Sequence, residues 1–246
     1  MKKYTLFPLL FIGLFLFPQL NWADTSAEFN AAVAAYDRKD YKTAFDLLTK
    51  LANQGDSGAQ NNLGVMYHNG IGAAQDDKKA VYWYQKAAEQ GHASAQNNLG
   101  VMYLNGIGIV QDDIKAANWY QKAADQGLAD AQFNLGVLYA NGIGVIQSNK
   151  RAVHWYQRAA NQGLTDAQYN LGVMYYHGRG APKNKVVSYA LVRTAAVSNS
   201  KARKAQKKIS IKMSWEELTA GRELSDQMIR PGNLLPALNE YLKKHS

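Results

Sequence analysis

Histidines, carboxylates and glycine-rich loops are the features of this sequence that could support catalysis or ligand binding. The five histidines lie at positions 68, 92, 154, 177 and 245, so no two have the helical spacing of a zinc-binding pair. The chain has no cysteine, which excludes a thiolate metal site, a disulfide and a cysteine nucleophile. No G-x-S-x-G motif occurs, and most carboxylates fall at predicted helix starts, where capping explains them. We therefore predict no catalytic residue, no metal site and no cofactor, and hence no enzyme.

The glycine-rich loops have the same form throughout the chain. NGIG occurs at 69–72, 105–108 and 141–144, and HGRG takes its place at 177–180. A phosphate-binding loop would also have a third glycine, a Lys-Ser/Thr pair and a preceding strand, all of which are missing here. We expect instead that the first glycine ends a helix in the left-handed conformation and that the second lets the chain reverse.

A longer repeat positions these loops. LGVMY begins at residues 63, 99 and 171, and LGVLY begins at 135, so the period is 36 residues. A fixed period of this length is typical of solenoid proteins, in which each unit buries its apolar face only by stacking on its neighbours. Residues 24–55 lack the LGVMY string but keep the phase, because Ala44 and Gly55 precede Ala80 and Gly91 by 36 residues. They predict a divergent first repeat.

Each clear copy predicts two helices, here called helix A and helix B. Helix A of the first clear copy is expected over Ser57 to Asn69. Helix B is expected to begin after one of four residues whose side chains cap helices well, namely Asp76, Asp112, Ser148 and Asn184. A glycine inside helix A destabilises it by about 1 kcal/mol, so its recurrence predicts a close crossing with helix B at the small residues there, which are Ala80, Ala116, Ala152 and Ser188.

Helix B carries a Trp-Tyr pair in three copies, at 83–84, 119–120 and 155–156. We expect each tryptophan to be buried between helices. Glycines at 91, 127 and 163 are expected to end helix B, and Asn199 takes their place in the fourth copy as another residue that tolerates the left-handed conformation.

The pattern A-Q-x-N-L-G-x-x-Y-x-x-G-x-G, followed after an N-cap by A-x-x-W-Y-x-K-A-A-x-x-G, resembles the Sel-one-like repeat (SLR), a 36-residue relative of the tetratricopeptide repeat. The resemblance covers residues 56–199 closely and 24–55 loosely. It implies an all-α fold, a right-handed α/α superhelical solenoid of antiparallel helix pairs. It also implies an adaptor scaffold for protein complexes, although some disulfide-rich bacterial relatives are linked to cell-wall chemistry.

If helix A lines the concave side, as the resemblance implies, the positions that differ between copies form a groove. Aromatic side chains become more frequent toward its carboxy-terminal end, and aromatic residues are favoured interface anchors. A neighbouring row keeps one asparagine in each copy. This row predicts either a ladder that binds the backbone of an extended peptide or a set of bonds to neighbouring loops that hold the stack together. The predicted partner-binding residues are Asn62, Asn98, Asn134, Asn170, Asn97, Leu104, Phe133, Tyr169 and Tyr176.

The amino-terminal residues 1–23 combine two early lysines with a short apolar stretch, the pattern of a cleavable signal peptide. We expect cleavage after Ala23, with Ala27 as the alternative. The uncleaved membrane anchor is less favoured because the stretch is short and contains Pro8 and Pro18. A bacterial periplasmic or secreted protein is therefore expected, in contact with a membrane only through the transient signal peptide.

The carboxy-terminal residues 200–246 do not follow the repeat. Ser200 is expected to cap a basic helix, and Ser214 with Glu217 forms a capping box for the next one. Residues 179–246 hold 14 Lys and Arg against 5 Asp and Glu, so most of the chain's net charge of +9 lies here. This segment is predicted to be a helical cap over the end of the stack. Six of its cations are candidates for binding an anionic surface: Lys201, Arg203, Lys204, Lys207, Lys208 and Lys212.

Two functions follow as hypotheses. The first is an exported, monomeric, non-enzymatic scaffold that binds an unidentified protein or peptide in the concave groove. The alternative is a cell-wall-associated protein, binding or hydrolysing peptidoglycan or binding a penicillin-type ligand, whose basic end contacts an anionic polymer. Nucleic acid is not expected as a partner, because export removes the usual targets and no reading motif is present.

Overall fold

The computed structural model describes residues 27–230 and 232–245, and all of their secondary structure is helical. The predicted signal peptide lies outside these residues. The helices are α1 (Ala27–Asp37), α2 (Tyr41–Asn53), α3 (Ser57–Asn69), α4 (Asp77–Glu89), α5 (Ala93–Asn105), α6 (Asp113–Asp125), α7 (Ala129–Asn141), α8 (Asn149–Asn161), α9 (Thr165–His177), α10 (Lys185–Ala195), α11 (Ser200–Ser210), α12 (Trp215–Met228) and α13 (Leu234–Lys244). The all-α prediction is confirmed, and α3 has the predicted bounds.

The chain divides into two compact units, residues 1–112 and 113–246. In the first unit, α1 packs on α2, α2 on α3, α3 on α4 and α4 on α5. In the second unit, α6 packs on α7, α7 on α8, α8 on α9 and α9 on α10. Successive helix pairs thus pack in a repeating pattern within each unit, as the sequence repeat predicts. Each helix buries small and aliphatic residues against its neighbours. This stacking is needed because one copy alone has too little apolar surface to form a core.

Helices A and B cross closely at the glycine of the LGVMY string, although the main contact differs from the predicted one. A methyl group on Gly64 would stand 2.7 Å from the ring of Tyr84, and one on Gly136 would stand 2.7 Å from the ring of Tyr156. The carbonyl of Ala80 is farther from the Gly64 position, at 3.2 Å. The missing side chain therefore makes room for a tyrosine ring in these two copies. In the fourth copy it makes room for Val192, which would stand 2.7 Å from a methyl group on Gly172.

The tyrosine, rather than the tryptophan, is the deeply buried member of the Trp-Tyr pair. Tyr84, Tyr120 and Tyr156 are buried, whereas Trp83 and Trp119 stay partly exposed. The expectation of a buried tryptophan holds only for the third copy, at Trp155. Tyr84 and Tyr156 lie deep because their rings pack directly over Gly64 and Gly136 of helix A.

The loop glycines adopt the predicted left-handed conformation, and the second of each pair has a further role. Gly70 and Gly72 have φ of 65° and 74°. A side chain on Gly144 would overlap the backbone carbonyl of Asp113, the first residue of the preceding helix B, and Gly180 meets Asn149 in the same way. The loop of one repeat therefore packs against the helix start of the repeat before it.

Helix caps follow the sequence closely at helix B. Asp76, Ser148 and Asn184 each accept a hydrogen bond from the backbone amide three residues later. Two predictions near the carboxy-terminal end are wrong. Asn199 has an extended backbone with φ of −105°, because its side chain caps α11 by accepting from the Ala202 amide. Ser200 is accordingly the first residue of α11 and not its cap.

The last three helices cover α10. Helices α11 and α12 both pack on α10, α13 packs on α12, and α13 also touches α8. The Leu235 amide donates to Asn161 Oδ1 at 3.1 Å across this last contact. The predicted capping box at the start of α12 is present, with both Ser214 and Glu217 in place.

Candidate protein-interaction face

The predicted interaction face lies on helix A, so its geometry depends on how this helix is held. A glutamine three residues before each LGVMY leucine is buried at the start of helix A. Gln60 and Gln132 donate from Nε2 to the carbonyls of Ala52 and Ala124, at 3.1 and 3.2 Å, eight residues earlier in the chain. Gln96 and Gln168 form the same bond to the equivalent alanines. Each of these carbonyls also accepts from the backbone amide of the glycine three residues later. The glutamine therefore provides a second hydrogen bond at the end of the preceding helix B.

A second glutamine completes this contact in two places. Gln90 Nε2 donates to Gln60 Oε1 at 2.7 Å, and Gln162 Nε2 donates to Gln132 Oε1 at 2.8 Å. The buried glutamines at the start of each helix A, which are Gln60, Gln96, Gln132 and Gln168, were not predicted from the sequence. Their recurrence every 36 residues was the available signal, but a surface helix start gives no reason to expect burial.

The starts of the helices A are capped unequally. Asp56 accepts from the Ala59 amide at 2.6 Å, and His92 accepts from the Ala95 amide at 3.3 Å through Nδ1. Leu128 and Leu164 occupy the same position in later copies and provide no side-chain cap. Burial lowers the pKa of His92, partly offset by the negative charge of Asp56. The neutral imidazole that the cap requires is therefore the favoured form.

The asparagine row is engaged in hydrogen bonds, and those of Asn98 and Asn170 join different helices. Asn62 is 3% exposed and accepts from Asn61 Nδ2 at 3.3 Å. Asn98 Nδ2 donates to Asn61 Oδ1 at 3.1 Å, so α3 and α5 are linked side by side. Asn170 forms a hydrogen bond with the Tyr156 hydroxyl. These bonds favour the stacking role over the peptide ladder, with neighbouring helices in place of the expected loops; Asn134 is partly exposed and also engaged.

The groove positions that vary between copies behave differently from that row. They are partly exposed in the second, third and fourth clear copies, at Asn97, Leu104, Phe133, Tyr169 and Tyr176. In the first clear copy the equivalent position is closed, because Asn61 is 7% exposed and is bonded to Asn98. The predicted outward stripe therefore begins only in α5.

The aromatic residues of this set also have internal contacts. The Phe133 ring lies 5.9 Å from the Tyr156 ring, centroid to centroid. Burial raises the pKa of Tyr156 to about 12, against a small lowering by its hydrogen bond with Asn170. Tyr169 and Tyr176 pack on an apolar cluster that includes residues of α10 and α11. Each of these aromatic rings thus packs against the protein with part of its surface and exposes the rest to solvent.

The basic residues of the carboxy-terminal segment are all exposed. Lys201, Arg203, Lys204, Lys207 and Lys208 lie on α11, and Lys212 follows in the turn to α12. Ala202 and Ile209 hold the opposite side of α11 against α10. From Arg203 onward these cations form no ion pair within the described residues.

A cleft of about 360 Å³ lies among α10, α11 and α12. Its arginine is already engaged, because Arg193 Nη1 bonds Ser225 Oγ at 2.9 Å and pairs with Asp226. In the described part of the chain, no group of three or more His, Asp or Glu side chains could hold a metal ion. None of the helices described is both long and apolar enough to cross a lipid bilayer.

Comparison with known proteins gives matches in both sequence and structure. The profile of the "Sel1 repeat" family matches residues 34–56, 57–92, 93–128, 129–164 and 165–196. Among curated proteins, no relative was found.

Two solved structures resemble the chain over most of its length. A protective antigen of uropathogenic Escherichia coli with an SLR fold is 34% identical, with a TM-score of 0.73 over 82% of this chain and 43% of that one. A Sel1 repeat protein from Oxalobacter formigenes is 35% identical, with a TM-score of 0.67 over 72% of this chain and 73% of that one. The chain therefore spans less than half of the length of the E. coli antigen.

Proposed function

Because this chain belongs to the Sel1 repeat family, we propose that it is an exported, non-enzymatic scaffold that binds a protein or peptide across its helices A. Proteins of this family are in general helical scaffolds for protein interaction. The export part of the proposal is supported by the signal-peptide pattern of residues 1–23. The choice of the helix A face as the binding surface is supported by the geometry of the repeats.

The proposal rests on a contrast between two sets of residues on helix A, one repeated and buried and the other varied and partly exposed. Leu99, Leu135 and Leu171, which repeat in every copy, are buried. Their neighbours two residues earlier, Asn97, Phe133 and Tyr169, differ between copies and stay partly exposed. Packing accounts for the repeated residues, so the varied and accessible ones are left to set partner choice. Partly buried aromatic rings are effective anchors because little conformational entropy is lost when a partner covers them.

The contacts of the asparagine row also support one mode of binding. Since the amides of Asn98 and Asn170 are already used between helices, we expect the partner to be recognised mainly by the varied side chains of helix A and not by a ladder along its backbone. This predicts a partner that presents apolar or aromatic side chains, such as a folded helix or a peptide with spaced anchors.

Affinity capture from the producing cells, followed by quantitative binding, tests the proposal. The double variant Phe133→Ala/Tyr169→Ala is expected to lower the affinity for the captured partner at least about tenfold, because two interface anchors are lost. Leu104→Arg should weaken binding as well, because this change adds bulk and charge at a partly exposed site. Circular dichroism checks that the variants stay folded.

The matched control is Tyr82→Ala/His154→Ala, which changes two exposed residues of helix B. An affinity that is unchanged in both helix A variants, or reduced equally by the helix B control, would rule out the helix A face. Export is tested separately by fractionation of the producing cells, where retention of the protein in the cytoplasm contradicts that part of the proposal.

A further inference from the structure

The turn between α11 and α12 exposes two large apolar side chains next to the basic helix. Ile211 is 76% exposed and Trp215 is 75% exposed. They are four positions apart in the chain, so their Cα atoms lie within about 14 Å of each other. Large apolar residues in such full contact with water, placed together, indicate a surface that is covered in use.

The cations of α11 share a face with Ile211. Ile211 has helical backbone angles, with φ of −69° and ψ of −9°, so the spacing of α11 extends to it. Lys204, Lys207 and Lys208 precede it by seven, four and three residues, which is the spacing of neighbours on one side of a helix. This side is opposite to Ala202 and Ile209, which are buried. An isoleucine therefore stands at the end of a row of lysines that faces solvent.

Few negative charges oppose this surface. Residues 200–215 contain six Lys and Arg and no Asp or Glu. The nearest acids in the chain, Glu216 and Glu217, are held by Ser214 in the cap of α12, and Lys185 stands 4.0 Å from Glu217. Lys185 Nζ also donates to the Lys212 carbonyl, which fixes the turn against α10.

We propose that Ile211, Trp215 and the lysine face of α11 form a docking surface for a bilayer of anionic phospholipid. A bilayer surface offers both chemistries that this surface needs, since its headgroups attract lysines and its interface accommodates tryptophan and aliphatic side chains. A hydrated anionic polymer would satisfy the lysines but would leave Ile211 and Trp215 in water. The surface is separate from the proposed helix A face and goes beyond the expectation that the chain meets a membrane only through its signal peptide.

Vesicle sedimentation tests the proposal with the chain from residue 24 onward, because the apolar segment before it would itself enter a bilayer. All helices described are kept in this form. The protein is expected to bind vesicles of equal parts phosphatidylglycerol and phosphatidylcholine at least about tenfold more tightly than vesicles of phosphatidylcholine alone. Equal binding to both, or no binding to either, would overturn the proposal.

Two variants separate the apolar and charged parts of the surface. Ile211→Ser/Trp215→Ser should lower vesicle partitioning roughly tenfold. Lys204→Gln/Lys207→Gln/Lys208→Gln should lower it roughly a hundredfold, at about fivefold for each lysine lost, and should remove most of its salt dependence. Unchanged partitioning of the first variant would overturn the proposal, because charge alone would then account for binding.

Matched controls change the same residue types elsewhere. Val110→Ser/Ile146→Ser removes two exposed apolar side chains of the repeat loops, and Lys78→Gln/Lys86→Gln/Lys150→Gln removes three exposed lysines of the repeats. Both controls should partition as the parent does. A loss in the controls as large as in the surface variants would contradict a specific surface.

Fluorescence supplies a second measurement, which reports the environment of Trp215 itself. On anionic vesicles the emission should shift to shorter wavelength as Trp215 leaves water, and Trp215→Phe should abolish the shift while the other tryptophans remain. Purified peptidoglycan is tested in parallel. Sedimentation with peptidoglycan but not with vesicles would assign the lysine face to the polymer instead and overturn the lipid proposal.

Discussion

Helices α8 and α10 occupy the same position in successive repeats but meet different surroundings. In α8, His154 and Arg158 are exposed, and the buried residues lie on one side. In α10, all residues from Val186 to Val192 are buried. A helix that is apolar on every side must be covered on every side, and α11 and α12 provide that cover.

The difference shows how the stack ends. An interior repeat leaves one face of helix B in water, and its packing is completed by the next copy. The last repeat has no next copy, so α12 packs on α10 with a glycine of its own, since a methyl group on Gly221 would stand 2.7 Å from the Tyr189 ring. This glycine-tyrosine contact is the same device that joins α3 to α4, although residues 200–246 have none of the repeat's sequence.

The strongest test of this contrast places an exposed residue of α8 into α10. Ala190 holds the position of His154 and is fully buried. Ala190→His should lower the free energy of unfolding by about 3–5 kcal/mol, because it overfills the core and buries a polar ring. Urea denaturation measures the change. Tyr82→His, at the same exposed position of α4, should change it by less than about 0.5 kcal/mol, and equal effects would refute the contrast.

The next test concerns the loop contact between repeats. Gly144→Ala should lower the free energy of unfolding by about 3 kcal/mol or more. The added methyl group would overlap the Asp113 carbonyl, and the backbone at this position has the left-handed conformation. Gly163→Ala is the control, since Gly163 has φ of 90° but nothing within 4 Å of an added methyl group. It should cost only the conformational strain of about 1–2 kcal/mol. The same loss of stability in both variants would mean that the loop contact does not contribute to the free energy of unfolding.

The buried glutamine contact is expected to have a smaller effect. Gln132→Met should lower the free energy of unfolding by about 0.5–1.5 kcal/mol, because the Ala124 carbonyl loses its second hydrogen bond and keeps only the one from the Gly127 amide. Gln85→Met serves as the control, since Gln85 is exposed and bonds only Glu89. Equal stability of the two variants would show that the glutamine row does not hold helix A in place.

The fourth repeat also contains a buried hydroxyl that destabilises the fold, and a single substitution should remove this effect. Ser188 is fully buried where the other clear copies have alanine, and its hydroxyl has no hydrogen-bond partner in the part of the chain that the structure describes. Ser188→Ala should raise the free energy of unfolding by about 1 kcal/mol. Ser225→Ala is the matched case, because this buried serine bonds Arg193 and its loss should destabilise the fold. A destabilised Ser188→Ala variant would indicate a partner for that hydroxyl.

The smallest expected effect depends on pH and distinguishes the first two helix A caps. Burial lowers the pKa of His92 in the folded state, so the unfolded chain binds the extra proton more readily. Stability is therefore full above the unfolded pKa of about 6.5 and is lost as the pH falls below it. His92→Asn keeps a cap without this titration, and thermal unfolding between pH 7.5 and 5 should be less pH-dependent in the variant than in the parent. Equal dependence would contradict the cap assignment; His154→Asn is the control.

The sequence by itself determined the elements and their ends. The 36-residue period gives the repeats, and the bounds of α3, the caps at Asp76 and Ser148 and the left-handed glycines at 70 and 72 were all predicted correctly. These features depend on backbone preferences and bonds within a few residues, so the local residue types specify them. Asn199 was misread because its own cap bond competes with the left-handed conformation, and that competition is also local.

Only the tertiary structure decided which side chains face one another. The sequence could not show that Tyr156 rather than Trp155 lies over Gly136, that Asn62 is buried, or that the first groove position is closed by Asn98. It identified the lysines of α11 but gave no sign that Ile211 stands among them in water. Such facts depend on which helix crosses which, and residues far apart in the chain fix the burial of each side chain through their shared packing.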